Sequence, residues 1–269
     1  MTPPDPALLS LNTATVKQQW TLAQTIEGCA RHGIRGISPW RDKVAEMGLK
    51  QAARSIKAHG LTVTGLCRGG FFTAENFLDD NLRAIEEAHT LGAQCLVLVV
   101  GGLIAGSKDL AASRKRVMEG IAEILPAARK AGVPIAIEPL HPMQAADRAC
   151  INTLEQALDV CDALGDGIGV AVDVYHVWWD PKLERQIARA GRRRILAYHI
   201  CDWLVPTRDL LNDRGMMGDG VIDLPRIRSW VEAAGYSGFH EAEIFSERDW
   251  WRREPDEVLR VCKHRHCFT

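Results

Sequence analysis

The sequence predicts a closed (β/α)8 TIM barrel. Short apolar runs alternate with amphipathic helical segments, the unit recurs eight times, and eight such units fill a chain of this length. The apolar runs lie at 8–13, 34–38, 62–67, 95–100, 134–138, 168–174, 195–200 and 239–245. Between the first two, Leu22, Ile26, Cys29 and Ala30 share one face of a helical pattern, a stripe able to cover a sheet. Glycines 33, 60, 92, 132 and 235 stand where helices should stop and the chain should turn toward the next strand. Strands joined by helices run parallel. No run is followed by the Gly-x-Gly-x-x-Gly pattern that opens a helix in a doubly wound sheet, and no linker divides the chain. Residues 1–269 are therefore expected to form one barrel domain.

Composition narrows the function classes. With 33 basic and 34 acidic residues the net charge is -1, so no overall field recruits nucleic acid or an anionic membrane. The opening Met-Thr-Pro-Pro-Asp-Pro has neither a basic start nor a long apolar run, and no stretch of 18 uninterrupted apolar residues occurs. Eight cysteines are scattered through strands and helices, which suits reduced thiols and a cytoplasmic location. The terminal Cys262-Lys-His-Arg-His266-Cys267 reads as a frayed tail rather than a metal loop. His32, His59 and His89 fall at helix ends, where a cationic ring complements the helix dipole.

In a barrel, catalytic groups come from the C-terminal ends of strands. Four apolar runs end in an ionisable residue: Glu138, Asp173, His199 and Glu243. By strand alternation Glu138 shares its face with Ala136, Asp173 with Ala171, His199 with Ala197, and Glu243 with Glu241, so small inward residues leave room for a site. Three carboxylates and an imidazole aimed at one axis repel one another and resist burial unless a cation joins them. One divalent ion is expected there: Mn2+ first, with Mg2+, Co2+ or Zn2+ as alternatives and Fe2+ not ruled out by the donor set.

Several motifs carry a family resemblance: Ile137-Glu138-Pro139, Asp173-Val-Tyr-His176, His199-Ile-Cys-Asp202, Arg214-Gly-Met-Met-Gly218-Asp-Gly220 followed by Ile222-Asp223, and Glu243-Ile-Phe. Together they resemble the xylose-isomerase-like barrels, a family of sugar phosphate isomerases and epimerases that includes tagatose and allulose 3-epimerases, hydroxypyruvate isomerase and, more distantly, endonuclease IV. The resemblance implies that Glu138 and Glu243 are both metal ligands and an acid/base pair, and that Asp173 and His199 are ligands only. It also implies that His176 and Arg214 hold substrate oxygens near the carbonyl, with Arg208 as a rival to Arg214. The extra histidines of endonuclease IV are missing: the third run ends Leu66-Cys67-Arg68-Gly69-Gly70 and the fourth Val99-Val100-Gly101-Gly102. A repair nuclease is thereby disfavoured.

Bond breaking beside a carbonyl needs a base, an acid and positive charge where the enediolate forms. The expected activity is a metal-dependent sugar isomerase or epimerase. Elimination on the same site, as in dehydroshikimate dehydratases or C-glycoside-cleaving enzymes, is the first alternative, and a non-catalytic sugar-binding barrel the second. Arg68 and Arg41 stand at strand ends where paired N–H donors meet a carboxylate or phosphate, so the substrate is a small sugar or a sugar acid. His141 is placed to relay a proton, and Asn12-Thr13 to donate to a hydroxyl or cap a turn. Trp40, Trp178, Trp179 and Trp203 follow strands and suit sugar stacking, whereas Trp20, Trp230, Trp250 and Trp251 suit helix packing or a homo-oligomer interface.

Overall fold

The structure, a computed structural model, describes residues 3–269. Met1 and Thr2, the start of the segment read for a leader, lie outside the described residues. The chain begins with β1 (Leu9–Asn12), α1 (Leu22–His32), β2 (Gly36–Ser38), α2 (Arg41–Met47), α3 (Leu49–Ala58), β3 (Thr62–Val63), β4 (Leu66–Gly70) and α4 (Phe77–Leu91). It continues with β5 (Leu96–Val99), α5 (Leu110–Ala131), β6 (Ile135–Ile137), α6 (Leu154–Leu164), β7 (Ile168–Asp173), α7 (Val174–Val177), α8 (Leu183–Arg194) and β8 (Ile195–Ile200). Last come β9 (Asp202–Trp203), β10 (Arg214–Gly215), α9 (Leu224–Ala233), β11 (His240–Ala242) and α10 (Pro255–His266).

Nine parallel strands pair in the order β3-β2-β1-β11-β8-β7-β6-β5-β4. The two ends of that order, β3 and β4, belong to one run interrupted at Thr64-Gly65, so the sheet closes through its own third strand and the barrel has eight staves. The interruption departs from the unbroken strand expected at 62–67. Its cause is local: the Thr64 hydroxyl bonds to Ser10 at 2.8 Å and to Glu241 at 2.9 Å, while Ser38 takes the Gly65 carbonyl at 3.1 Å. The antiparallel β9–β10 pair forms a separate small sheet.

Strand alternation divides the core. Leu11, Ile37, Leu96, Leu98, Ile137, Val170, Val172 and Ile200 join the large cluster between barrel and helices. Cys67, Cys95, Val97, Ala136, Ala171 and Ala197 form the separate interior cluster. The small interior residues match the reading of the strand faces. α1 starts with a capping box between Thr21 and Gln24 and stops at Gly33 in the left-handed conformation. Its buried face carries Leu22, Thr25, Ile26, Gly28 and Cys29, and the expected Ala30 is exposed because 3.6-residue geometry places it at the stripe's edge. Gly70, at φ 113°, lets β4 pass β5 closely, since a Cβ there would meet the Val99 carbonyl oxygen at 1.9 Å.

The C-terminal segment corrects the frayed-tail reading. Val258, Leu259, Cys262 and His266 are the buried face of α10, and His266 Nε2 lies 3.0 Å from His240 Nδ1 of β11. A helical stripe, not an irregular tail, accounts for the spacing of Cys262 and His266. All eight cysteines are free thiols. No described helix is long and apolar enough to cross a membrane.

Candidate metal centre

β6, β7, β8 and β11 are neighbours in the barrel, and each delivers one ionisable side chain to the same end. Glu138, Asp173, His199 and Glu243 are all buried, and one ligand atom from each can be chosen so that all four lie within 4.8 Å of one another. The structure thus brings together the four residues picked from the strand ends.

His199 Nδ1 is 3.1 Å from Glu138 Oε1 and 3.7 Å from Glu243 Oε2. Both Glu138 Oε1 and His199 Nδ1 are fully enclosed yet lack a hydrogen bond of proper geometry. Buried polar atoms without partners are costly, and lone pairs converging on one point are what ligand atoms of a metal look like. The donor set of three carboxylates and one imidazole fits a divalent ion of the Mn2+, Mg2+, Co2+ or Zn2+ kind.

The surroundings hold this cluster in place. Asn12 Nδ2 donates to Glu243 Oε1 at 2.9 Å and to Glu241 Oε1 at 2.7 Å, while its Oδ1 accepts from Ala14 and from the Trp40 indole. Asn12 therefore caps a turn and fixes a site carboxylate. Glu241, on the same strand face as Glu243, lies 3.5 Å from His199 Nε2, the ring nitrogen away from the cluster. Its role was missed in the sequence, although the two-residue spacing from Glu243 was the available signal.

Arg214 enters from β10, whose backbone N–H is bonded to the Phe245 carbonyl at 2.8 Å. The Asp202 carboxylate shapes the loop that carries it by accepting from the N–H groups of Trp203, Gly218 and Ile222. The Arg214 guanidinium donates to Asp173 Oδ2 at 2.8 Å and Glu243 Oε2 at 3.2 Å, and its other terminal nitrogen is 3.1 Å from His176 Nε2. Arg208 is paired instead with Asp213, which separates the two rival arginines.

Electrostatics push the two glutamates apart. Burial drives the Glu138 carboxyl up to about 7, with His199 opposing and Glu243 adding to the rise. Burial acts on Glu243 in the same sense, but the Arg214 and His199 charges overcome it and hold that carboxyl well below the usual range. His176 is pushed down to about 3, chiefly by burial. The two carboxyls of one cluster thus carry opposed tendencies.

A pocket opens over the cluster, walled by Trp40, Val97, Val99, Leu140, Leu211 and Phe245, with Glu138, Glu243, His176, Arg214, Arg68, Gln144 and Arg148 among its polar groups. Asp173 and His199 are wholly buried and take no part in its lining. Arg41 is engaged by Asp80 at 2.9 Å and Glu87 at 2.5 Å, so it serves the framework and not the pocket. His141 is half-buried and stacks on Trp203 at 4.9 Å, outside the pocket lining. Trp203 also meets Tyr175 and Trp178, and the Trp179 indole donates to the His176 carbonyl. Trp251, expected among the packing tryptophans, instead lies beside Phe245, with its indole bonded to the Ala14 carbonyl. Gln144 and Arg148 were not foreseen, because the loop between β6 and α6 has no hydrophobic period that would point its side chains.

The sequence matches, over residues 26–262, the family described as xylose isomerase-like TIM barrel. An inosose isomerase of Bacillus velezensis is 26% identical over 275 positions, covering 95% of this chain and 94% of its own. A crystal structure of a Sinorhizobium meliloti 1021 protein is 60% identical with a TM-score of 0.96, covering 97% of this chain and 98% of that one. The crystal structure of the IOLI protein with a bound zinc atom has a TM-score of 0.84 at 23% identity, covering 96% and 95%, a likeness of fold. Matched from within α1 to within α10, and with the barrel shared by these solved structures, the chain belongs to the xylose isomerase-like TIM barrel family.

Proposed function

We propose that the protein is a divalent-metal-dependent isomerase or epimerase of a small polyhydroxy carbonyl compound, with Glu138 and Glu243 as its acid/base pair. One observation carries this reading. Of the four clustered residues only the two glutamates line the pocket, while Asp173 and His199 lie buried beneath it. The residues that can reach a substrate proton are thus distinct from those that only bind metal.

When bound to Glu138, Asp173, His199 and Glu243, the ion supplies positive charge close to the substrate carbonyl, which acidifies the neighbouring C–H bond. One glutamate takes that proton, the C–H electrons become the C=C bond of the enediolate, and the second glutamate returns a proton. Return to the same carbon from the opposite face gives an epimer; return to the former carbonyl carbon, with the neighbouring hydroxyl proton passing to the enediolate oxygen, gives the isomeric carbonyl compound. His176, held neutral by burial, and the Arg214 N–H groups face the same pocket and hold substrate oxygens. Trp40 and Phe245 offer apolar faces to sugar C–H groups and keep water away.

The inosose isomerases among the relatives favour a cyclic polyhydroxy ketone. The zinc atom bound in the IOLI structure supports keeping Zn2+ beside Mn2+ among the candidate ions. The reading takes 1–269 as a single barrel domain acting in the cytoplasm, with neither nucleic acid nor membrane as partner.

The test is solvent-deuterium exchange on manganese-loaded protein with an inosose. Glu138→Gln and Glu243→Gln should each lower exchange into the substrate by about 10²- to 10⁴-fold. Undiminished exchange in both variants would remove these residues from the acid/base role. Loss of mass from the product would move the reaction to elimination.

A further inference from the structure

Two guanidinium groups face the pocket without an ion-pair partner among the described residues. Arg68, at β4, and Arg148, before α6, both contribute to its lining, and the buried Nε of each has no hydrogen-bond partner. Among the described residues neither side chain forms an ion pair. Burial first, and then the neighbouring Arg148 charge, works against the charged form of Arg68. Gln144, 5% exposed, lines the same pocket.

The arrangement is held in place by the fold. The Arg68 guanidinium lies 4.2 Å from the Phe71 ring centroid and 5.9 Å from that of Trp40, which supports its plane and leaves its edge N–H groups free. Arg148 is anchored by its backbone, whose N–H bonds to the Gln144 carbonyl at 3.1 Å and whose carbonyl accepts from Gly101 at 2.9 Å. Arg41 is the internal control: at the neighbouring strand end its guanidinium is neutralised by two acids. Unpaired buried donors of like charge are costly in the empty pocket, and an anion with several acceptor oxygens relieves both the repulsion and the missing hydrogen bonds.

We propose that Arg68 and Arg148, with the Gln144 amide N–H beside them, form an anion subsite of this pocket, so that the preferred polyhydroxy ketone carries a carboxylate or phosphate group and a neutral inosose is its weaker analogue. This rests on the isomerase or epimerase reading for what happens to the compound, but not for how it is gripped. The anion sets the carbon chain across the apolar wall of Trp40 and Phe245.

The experiment is calorimetric titration of manganese-loaded wild type, Arg68→Met, Arg148→Met and the double variant with inorganic phosphate, D-gluconate and the neutral D-glucitol. Wild type should bind gluconate or phosphate at least about tenfold more tightly than glucitol, and whichever is tighter identifies the group. Each single variant should lose about tenfold of that affinity, and the double variant more. Glucitol affinity and metal content per chain should stay unchanged, which separates loss of the subsite from loss of the fold. Arg68→Lys, which keeps the charge without the fork, should fall between wild type and Arg68→Met. Anion affinity undiminished in the double variant, or no preference for either anion over glucitol in wild type, overturns the subsite. Failure of the reaction itself would appear in the deuterium exchange of the glutamate variants, a readout these titrations do not touch.

Discussion

β6, β7, β8 and β11 carry Glu138, Asp173, His199 and Glu243 at or beside their C-terminal ends, whereas β1, β2, β4 and β5 carry Asn12, Trp40, Arg68 and Val99 within or just past theirs. Every titratable member of the cluster belongs to the first group, buried and mutually close. The second group is aromatic, amide, apolar and cationic, and it includes half-buried Trp40 and Arg68. The ionisable cluster and the Trp40–Arg68 wall thus occupy opposite arcs of one rim, with Gln144 and Arg148 reaching the pocket from the loop after β6.

The largest effects should come from the arc that carries the cluster. Asp173→Ala or His199→Ala is expected to abolish stoichiometric metal binding and turnover together, read by elemental analysis and by activity on the same sample. Full activity in a metal-depleted His199→Ala protein would break the division. Next, Glu241→Gln and Asn12→Ala should weaken metal binding by about 10- to 100-fold, as loss of a group that orients a ligand does elsewhere.

The pH dependence of metal binding sharpens the same arc. Glu138 is raised to about 7 and His199 well above its ordinary value in the metal-free protein, so both hold protons that an incoming ion must displace. Proton release should approach about two per ion below pH 7 and fall toward about one above it, and apparent affinity should climb with pH across that window. Calorimetry in two buffers of different ionisation heat measures this directly, and proton-independent binding would contradict it.

On the opposite arc effects should be smaller and of another kind. Trp40→Ala should raise KM by up to about tenfold with little change in kcat, the mark of lost uniform binding. Arg41→Ala, which removes bonds to Asp80, Glu87 and the Arg68 carbonyl but no group lining the pocket, should leave activity largely intact and cost about 1 kcal/mol of stability, a fall in Tm of a few degrees.

The two arcs were not equally legible in the sequence. Glu138, Asp173, His199 and Glu243 stood out because an ionisable residue closing an apolar run has few bland explanations in a barrel. The eight strand runs and their helix-stopping glycines were legible for the same reason: periodicity and punctuation are local properties. Arg41 and Arg68 looked alike, and only Asp80 and Glu87 from α4 set them apart. Arg148 and Gln144 sit in a loop whose direction is fixed by backbone bonds to Gly101 and by neighbours, information no spacing carries. Nor did the pattern at 62–67 show that Thr64 would turn inward and split its strand.

That inward turn has a mechanical consequence. Thr64 bonds to Ser10 at 2.8 Å and to Glu241 at 2.9 Å, and Glu241 in turn lies 3.5 Å from His199 Nε2, so a row of side chains runs from the third stave to the imidazole. The clustered imidazole is therefore connected to the point where the third stave divides through side chains of the lumen, without passing through any loop.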